Sequence, residues 1–373
     1  MSHASTHSEP NLNKQSSIGL FEKLDEQQQR VRALYWFGSL FTLIIGAIAI
    51  SVGSYGVDFS LPMKLLSNVF QTEAPAQSET GILFIGQELR LPRVVMTMIV
   101  GAVLSMCGAA MQGLFRNPMA DPSLLGISGG AAVAAAAVIV FGGGIFTTWV
   151  GAAYVLPSAA FAGSLLSMLM IVRMGYRKGY LSIVTLLLAG IAMNALASTG
   201  LGYLSFIADD SSLRLITYWT MGSFGGASWQ VVMALLPFCL LSTILIYRQR
   251  EALNLLLMGE SEARYLGINV KRVKNTLLLA VALGVGASVS ATGMIAFVGL
   301  VVPHLVRKLV GPDYRTLLPG SALIGAILLT ASDIVSRLIV APAELPIGIV
   351  TSAIGAPFFL FLLLKRGSVQ DAA

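Results

Sequence analysis

Long apolar stretches separated by short polar ones set the pattern of this chain. Runs of spanning length fall at 33–53, 91–113, 122–141, 149–172, 181–206, 229–247, 275–292, 294–310, 317–340 and 346–364. A spanning helix needs about 20 predominantly apolar residues, so the pattern predicts ten transmembrane helices in an all-α polytopic membrane protein. Two boundaries are soft: the seventh and eighth runs touch, and Gly142, Gly143 and Gly144 blur the end of the third. Several runs contain Gly or Pro, which membrane helices tolerate where neighbours re-satisfy the backbone. The first 32 residues are polar, with Gln27, Gln28 and Gln29 in a row, and lack the short apolar core of a cleavable signal. The expected layout is a partly mobile cytoplasmic tail (1–32), a ten-helix domain (33–366) and a short C-terminal tail (367–373).

Composition sharpens this picture. Of 373 residues, 55% are hydrophobic and 11% charged, against about 25% charged in a soluble domain, and mean hydropathy is +0.79. Soluble globular and disordered chains are both excluded. A net charge of +6 could suggest a nucleic-acid partner, but its distribution points elsewhere. With the N-terminus inside and the runs alternating, nineteen of the 24 Lys and Arg fall on inner segments, leaving Lys64, Arg90, Arg93, Arg214 and Arg337 outside. That asymmetry follows the positive-inside rule. It places both termini in the cytoplasm, agrees with an even helix count and needs no nucleic acid.

The connections differ in kind. The outer 54–88 segment is polar, with a short surface helix expected near 63–70. The inner 248–274 segment carries Leu253, Leu255, Leu256, Leu257 and Met258 before Gly259, and Leu266 and Ile268 after it. This predicts two short amphipathic helices joined at the glycine, either lying on the bilayer or docking a cytoplasmic partner.

No catalytic constellation appears. There is no GxxxxGK[ST] phosphate loop and no His/Cys/Asp cluster with metal-ligand spacing. His304 is the one histidine outside the N-terminal tail. Cys107 and Cys239 lie in apolar runs and read as small buried hydrophobes. The acids nearest the helices (Asp121, Asp209, Asp210, Asp333 and Glu344) sit toward helix ends, unlike the mid-membrane carboxylates of a proton relay. This weakens an ion-coupled secondary transporter, although sodium held by backbone carbonyls at broken helices keeps that class open.

Two clusters stand apart. Arg90 and Arg93 flank Leu91-Pro92 at the start of the second helix, where cations oppose the positive end of the helix dipole. Arg337, at the outer end of the ninth, is the third such residue. Either Arg337 pairs with Asp333 one turn earlier while the other two snorkel to headgroups, or all three form an outward basic surface for an acidic partner. The second cluster is GAAMQGLFRNPMADPSLLGISGGAA at 108–132. Asn117-Pro118 and Asp121-Pro122 mark a tight inner turn, and the small residues from Gly126 to Ala132 allow close helix approach.

That stretch, with LRLPR at 89–93, GLVVPHLVR at 299–307 and AELPIGIVTSAIGAPFFLFLLLKR at 343–366, resembles the permease family of ABC importers for iron-siderophores, haem and cobalamin (FecCD type). The resemblance runs over about 90–366 in four long blocks in the same order. It implies a homodimeric type II ABC importer permease with ten helices in an inverted-repeat build, embedded in the lipid of a bacterial inner membrane. The implied partners are a second copy of the chain, two cytoplasmic ATPase subunits and a periplasmic binding protein. ATP and Mg belong to the ATPase subunits, and no cofactor or metal is implied for this chain. Arg90, Arg93 and Arg337 match outward arginines that meet acidic residues of the binding protein in the cobalamin importer. Gly259, Glu260, Ala263 and Gly267 match the coupling helices seated in the ATPase cleft. The fifth helix, 182–206, matches the lining of a path along the dimer axis.

Within the family, residues 111–128 and 206–225 look most like haem permeases, with Met119 and Ser123 standing where Leu and Gly are expected. A ferric siderophore and cobalamin are the alternatives. Arg214, just after Asp209 and Asp210, either meets the haem propionates or pairs with those acids. Asn194 and Ser198, at helical spacing on the fifth helix, are candidates for a gate or for ordinary helix–helix hydrogen bonds. His304 lies in a motif shared across substrates and reads as structural. The mechanism implied is alternating access: a loaded binding protein docks on the arginines, ATPase closure moves the coupling helices, and the ligand passes between two fifth helices.

Overall fold

The computed structural model describes residues 10–53, 56–70, 77–142, 152–177 and 180–370. The chain is nearly all helix. A long α1 (Pro10–Ser51) leads into a small antiparallel pair, β1 (Val52–Gly53) with β2 (Gly56–Val57), and then α2 (Leu61–Phe70) and α3 (Gln77–Phe84). A π-helical turn at Ile85–Arg90 joins α3 to α4 (Leu91–Leu114). A 3-10 turn at Pro122–Leu125 precedes α5 (Ile127–Phe141), followed by α6 (Ala152–Gly175). The antiparallel pair β3 (Tyr176–Arg177) and β4 (Tyr180–Leu181) separates α6 from α7 (Ile183–Ile207). Then come α8 (Asp210–Met221), α9 (Trp229–Arg248), the short α10 (Arg250–Met258) and α11 (Glu260–Tyr265), α12 (Val270–Thr292), α13 (Val298–Val310), α14 (Tyr314–Leu338) and α15 (Ile347–Gln370).

All ten apolar runs contain a helix, while the count of ten spanning helices is not confirmed. Among the described residues, seven helices are long and apolar enough to cross a membrane. α5 is shorter, and the 13 residues of α13 rise only about 20 Å. Local backbone geometry explains both shortfalls. Gly126, at φ 70°, separates the 3-10 turn from α5. Gly293 at φ 72° and Phe297 at φ 68° hold residues between α12 and α13 out of helix, so an apolar composition there does not mean a continuous span.

The N-terminal segment is more regular than its polarity suggests. Residues from Pro10 onward, expected as part of a mobile tail to residue 32, continue the first span as one helix. Gln27 anchors this extension by donating from Nε2 to Val310 O at 3.0 Å. The change at residue 33 is one of polarity, not of secondary structure. Residues 1–9, 371–373, Gly143, Gly144 and Lys178 lie outside the described residues. The surface helix expected near 63–70 is present as α2, whose Leu61 and Leu65 pack with Leu83 of α3. α8 was not anticipated.

The core forms around α4 and α12, the two most deeply buried spans, while α1 and α7 lie at the periphery. α4 packs along α14, α13, α12 and α9, and α5 packs along α6. Glycines set how closely these helices approach. A Cβ on Gly108 of α4 would overlap the backbone of Gly299 in α13, and Gly130 of α5 and Gly163 of α6 would each collide with the other's carbonyl oxygen. With lipid as solvent there is no hydrophobic drive between helices, so close backbone packing carries the association.

This yields a stability test. Gly108→Leu has backbone rather than a flexible side chain to displace, and overpacking typically costs about 1–3 kcal/mol. It is expected to lower the Tm of detergent-solubilised protein by several degrees in a fluorimetric melt. Gly202→Ala, where an added Cβ meets nothing, is expected to hold or slightly raise Tm by restricting the unfolded chain. Equal Tm for Gly108→Leu and the parent chain would contradict the close-approach account.

Candidate functional site

Two polar clusters lie at opposite ends of α14, whose 25 residues extend about 37 Å. At the C-terminal end of α14, Asp333 is buried and faces two guanidinium groups. Arg93 of α4 donates from Nε to both carboxylate oxygens at 3.1 and 3.2 Å and from Nη2 at 2.9 Å. Arg337 lies one turn along α14 with Nε 3.1 Å from Asp333 Oδ2. Arg93 Nη1 also reaches Glu344 Oε1 at 2.8 Å. Buried charges need such pairing because an unpaired one carries its full desolvation cost.

Other arginine donors serve the end of α1. The last carbonyls of a helix have no intrahelical partner, and α1 has no basic residue of its own in its last turn. Arg337 Nη1 donates to Ala49 O at 3.1 Å and Val52 O at 2.6 Å. Arg90 donates from Nη1 to Ile50 O and Ser51 O, both at 2.9 Å, and from Nη2 to Gly56 O at 3.1 Å. Cations are favoured at the negative end of a helix dipole. Of the arginines expected on an outward surface, Arg93 and Arg337 have buried side chains whose bonds run to Asp333, Glu344 and the end of α1. Arg90, Arg93, Arg337 and Glu344 nevertheless line one cavity of about 190 Å³. Arg337 Nη2 has no hydrogen-bond partner among the described residues.

At the other end, the expected pair of short helices is present. Gly259 joins α10 to α11 at φ 136°, where a Cβ would overlap the Glu262 carboxylate. Gly267, at φ 85°, ends α11 in a Schellman motif: its N–H donates to Arg264 O at 2.9 Å and that of Ile268 to Ala263 O at 3.0 Å. Glycine suits both positions because a side chain disfavours positive φ. Ala263 faces the core, whereas Met258, Tyr265 and Leu266 are exposed, Tyr265 at 91%. Glu260 opens α11 and pairs with Lys274 of α12 at 2.6 Å.

α10 is tied to the start of α14. Arg315 grips Glu251 with two bonds of 2.8 Å, and this hydrogen bonding holds the Glu251 carboxyl below the usual carboxylate range. Asn254 donates to Asp313 Oδ1 at 2.6 Å and accepts from Tyr314 N at 2.9 Å. Sequence reasoning missed Glu251, Asn254, Lys274 and Asp313 as members of this end. Lys274 offered one signal, the last of three cations, after Lys271 and Arg272, where the apolar run of α12 begins. The partners of the others are distant in the chain.

The three path candidates are not brought together by one pocket. Asn194 of α7 donates to Ser123 O at 3.2 Å, a helix–turn bond, while Ser198 is exposed on the same helix. Arg214 is exposed on α8, and no ion pair joins it to Asp209 or Asp210 among the described residues. Asp209 instead caps α8 by accepting from Ser212 N at 2.9 Å, and that bonding lowers its pKa. His304 stands edge-on to Phe358 with ring centroids 6.1 Å apart. Among the described residues, no group of three or more His, Cys, Asp or Glu is placed to hold a metal ion.

Comparison with known proteins gives these clusters a context. Residues 41–365 match the FecCD transport family. The hemin transport system permease protein HmuU of Yersinia pestis is 43% identical over 341 residues, covering 87% of this chain and 94% of that protein. The vitamin B12 import system permease protein BtuC of Salmonella typhi is 40% identical over 342 residues, covering 91% and 98%. A solved structure described as an inward-facing, metal-chelate type ABC transporter superposes with a TM-score of 0.76 at 28% identity, covering 90% of this chain and 99% of its own.

Asp333→Asn tests the arginine cluster. It removes the charge that two buried arginines share, and breaking a buried pair costs about 3–5 kcal/mol. A clear fall in Tm and in folded yield is expected. Arg30→Gln, at the exposed Arg30–Glu26 pair 3.6 Å apart, is expected to leave both unchanged. If Asp333→Asn melts like the parent chain, the network does not hold α4 to α14.

Proposed function

The chain belongs to the FecCD transport family and is the permease of an ABC importer, and on that premise we propose that it carries haem from periplasm to cytoplasm. The similarity to the hemin permease HmuU, 43% over 87% of the chain, is the observation that carries the substrate. Cobalamin is the second reading, favoured by the 40% identity to the vitamin B12 permease BtuC.

As in other ABC importers, ATP hydrolysis belongs to a separate subunit. The proposed assembly is a homodimer with two ATPase subunits on the cytoplasmic side and a periplasmic binding protein outside, each ATPase subunit holding its own ATP and Mg. The exposed Met258, Tyr265 and Leu266, rimmed by Arg264 and Glu262, favour α10 and α11 as the surface for an ATPase subunit. A helix lying on the bilayer would not need the two glycine-defined turns at Gly259 and Gly267. Lys and Arg concentrate on the segments at this end, which favours a cytoplasmic location and cytoplasmic termini.

The arginine end is then periplasmic. The cavity lined by Arg90, Arg93 and Arg337 would admit an acidic side chain of the binding protein, which would satisfy Arg337 Nη2. The peripheral α7, with Val184, Leu188, Ile191 and Leu196 exposed, suits a helix that meets its counterpart across the dimer axis and lines the path. Arg214, exposed on α8, would meet a haem propionate near the mouth. Asn194, bonded to the turn before α5, fits a role in holding α7 rather than in gating. The two most buried spans, α4 and α12, come from the second and seventh apolar runs, as an inverted repeat of two five-run halves would place them.

The deciding observation is the ligand retained by the cognate binding protein. Haem, seen by its Soret absorbance, is expected. Tight retention of cobalamin or of a catechol or hydroxamate chelate, with no haem, would overturn the substrate assignment. In the assembled transporter, alanine substitution across residues 260–267 is expected to abolish uptake. Uptake that persists without an ATPase subunit would instead indicate an ion-coupled carrier.

A further inference from the structure

We propose that Lys274 is a positioning residue that transmits movement of α11 to the foot of α7, acting through the strand pair β3–β4. This deepens the reading above and rests on α10 and α11 being the ATPase contact.

The geometry of the Lys274 ammonium carries the inference. The side chain is buried in the first turns of α12, yet both of its acceptors come from other elements. Glu260, the first residue of α11, lies 2.6 Å away. The carbonyl of Leu181, the last residue of β4, lies 3.3 Å away. A buried ammonium needs such acceptors, and removing one leaves an unsatisfied charge. The positions of α11 and β4 are therefore linked through one nitrogen.

Leu181 is joined directly to α7. The next residue, Ser182, is the N-cap of α7: its hydroxyl accepts from Thr185 N at 3.3 Å, and its own N–H donates to Gly175 O at the end of α6. Any displacement of Leu181 along the chain axis thus reaches the first turn of α7 within one residue. The strand pair is also held from α12 by Tyr176 Oη, which donates to Asn275 Oδ1 at 2.5 Å. Tyr180 lies under Arg264 at 5.9 Å, and Tyr176 under Lys271 at 5.7 Å.

Alternative routes are weak. α11 packs on α10 and α12 and shares no extensive face with α7. The space between α11 and the strand pair is instead a cavity of about 310 Å³ lined by Tyr180, Leu181, Glu260, Arg264, Lys271 and Lys274. Across a gap of that size, force passes through the side chains that bridge it, and Lys274 is the buried one. Two packed units joined by a discrete polar bridge are the kind of element through which coupling travels.

The test uses the complete importer, with ATPase subunits and binding protein, in liposomes. Lys274→Met is expected to keep ATPase co-purification and ATP hydrolysis near the parent level, while ligand uptake per ATP falls about tenfold, within the range of residues that modulate coupling. A nitroxide at Val184→Cys, in the first turn of α7, should lose its ATP-dependent spectral change in the same variant. Lys274→Arg, which can still donate both bonds, should restore most of the uptake ratio. Unchanged uptake per ATP in Lys274→Met, or an arginine variant no better than methionine, overturns the proposal. If Lys274→Met does not yield folded protein, the exchange Lys274→Glu with Glu260→Lys serves. It keeps the ion pair but leaves no donor on α12 for the Leu181 carbonyl, so uptake per ATP should stay low; parent-level coupling in the exchange overturns the proposal. Failure of the underlying reading looks different: ATPase subunits would then bind and drive uptake normally after alanine substitution across residues 260–267.

Discussion

The carboxylate of Asp333 is the point on which one end of the molecule depends. It is a single buried negative charge facing Arg93 from α4 and Arg337 from its own helix. Without it, two guanidinium groups would be buried together and repel. With it, both are fixed in orientation, and their spare donors reach the carbonyls at the end of α1. α1 is a peripheral span that makes little buried contact, so satisfaction of its last turn by Arg90 and Arg337 does much to set where it stops. One acid thereby aligns three helices whose sequences are far apart.

The opposite end uses the same device with a different purpose. Arg315 and Asn254 fasten α10 to the first turn of α14, and Lys274 fastens α11 to α12. α14 therefore has a polar clamp at each terminus, and glycine-mediated backbone packing against α4 between them, where Gly101 and Gly325 approach too closely for a side chain. The peripheral α7 is different: it is linked to the α10–α11 end through a two-residue strand pair and side-chain bridges. α7 does not pack extensively on the central α4, α12 and α14; it leans on α5, α6 and the 3-10 turn before α5, so a shift of α7 would be felt first by that neighbouring layer.

Much of this was legible in the sequence where the signal is local. Apolar runs located a helix at every expected place, because a bilayer demands continuous apolar length. The hinge at Gly259 was visible because a glycine between two amphipathic stretches is a short-range signal. Boundaries were less legible. The run at 294–310 looks continuous in hydropathy, but positive φ at Gly293 and Phe297 delays α13, and hydropathy does not report backbone dihedrals. α1 extends back to Pro10 through polar residues that hydropathy assigns to a tail. Among polar contacts, Arg337 with Asp333 was readable as a pair one turn apart. Arg93 with Asp333 is separated by 240 residues, and nothing in local spacing encodes it. The same holds for Lys274, whose acceptors are set by the way α11 and β4 fold back on α12.

That non-local partnering changes how the arginines at the other end act. Three positive side chains there are offset by Asp333 and Glu344, so the cluster presents one net charge rather than three. A single net charge gives weak long-range attraction in a salt-screened medium. What remains is a shaped cavity with oriented donors on its wall. If the proposed docking holds, recognition would depend on a partner's carboxylate fitting between Arg90 and Arg337, and would give register more than affinity. It also ties the approach of a partner to the same carboxylate and guanidinium groups that hold α1, α4 and α14 together. On the proposed reading, a partner's acid would take Arg337 Nη2, the donor that neither Asp333 nor α1 uses, so docking there would engage a guanidinium whose other nitrogens already join α14 to the end of α1.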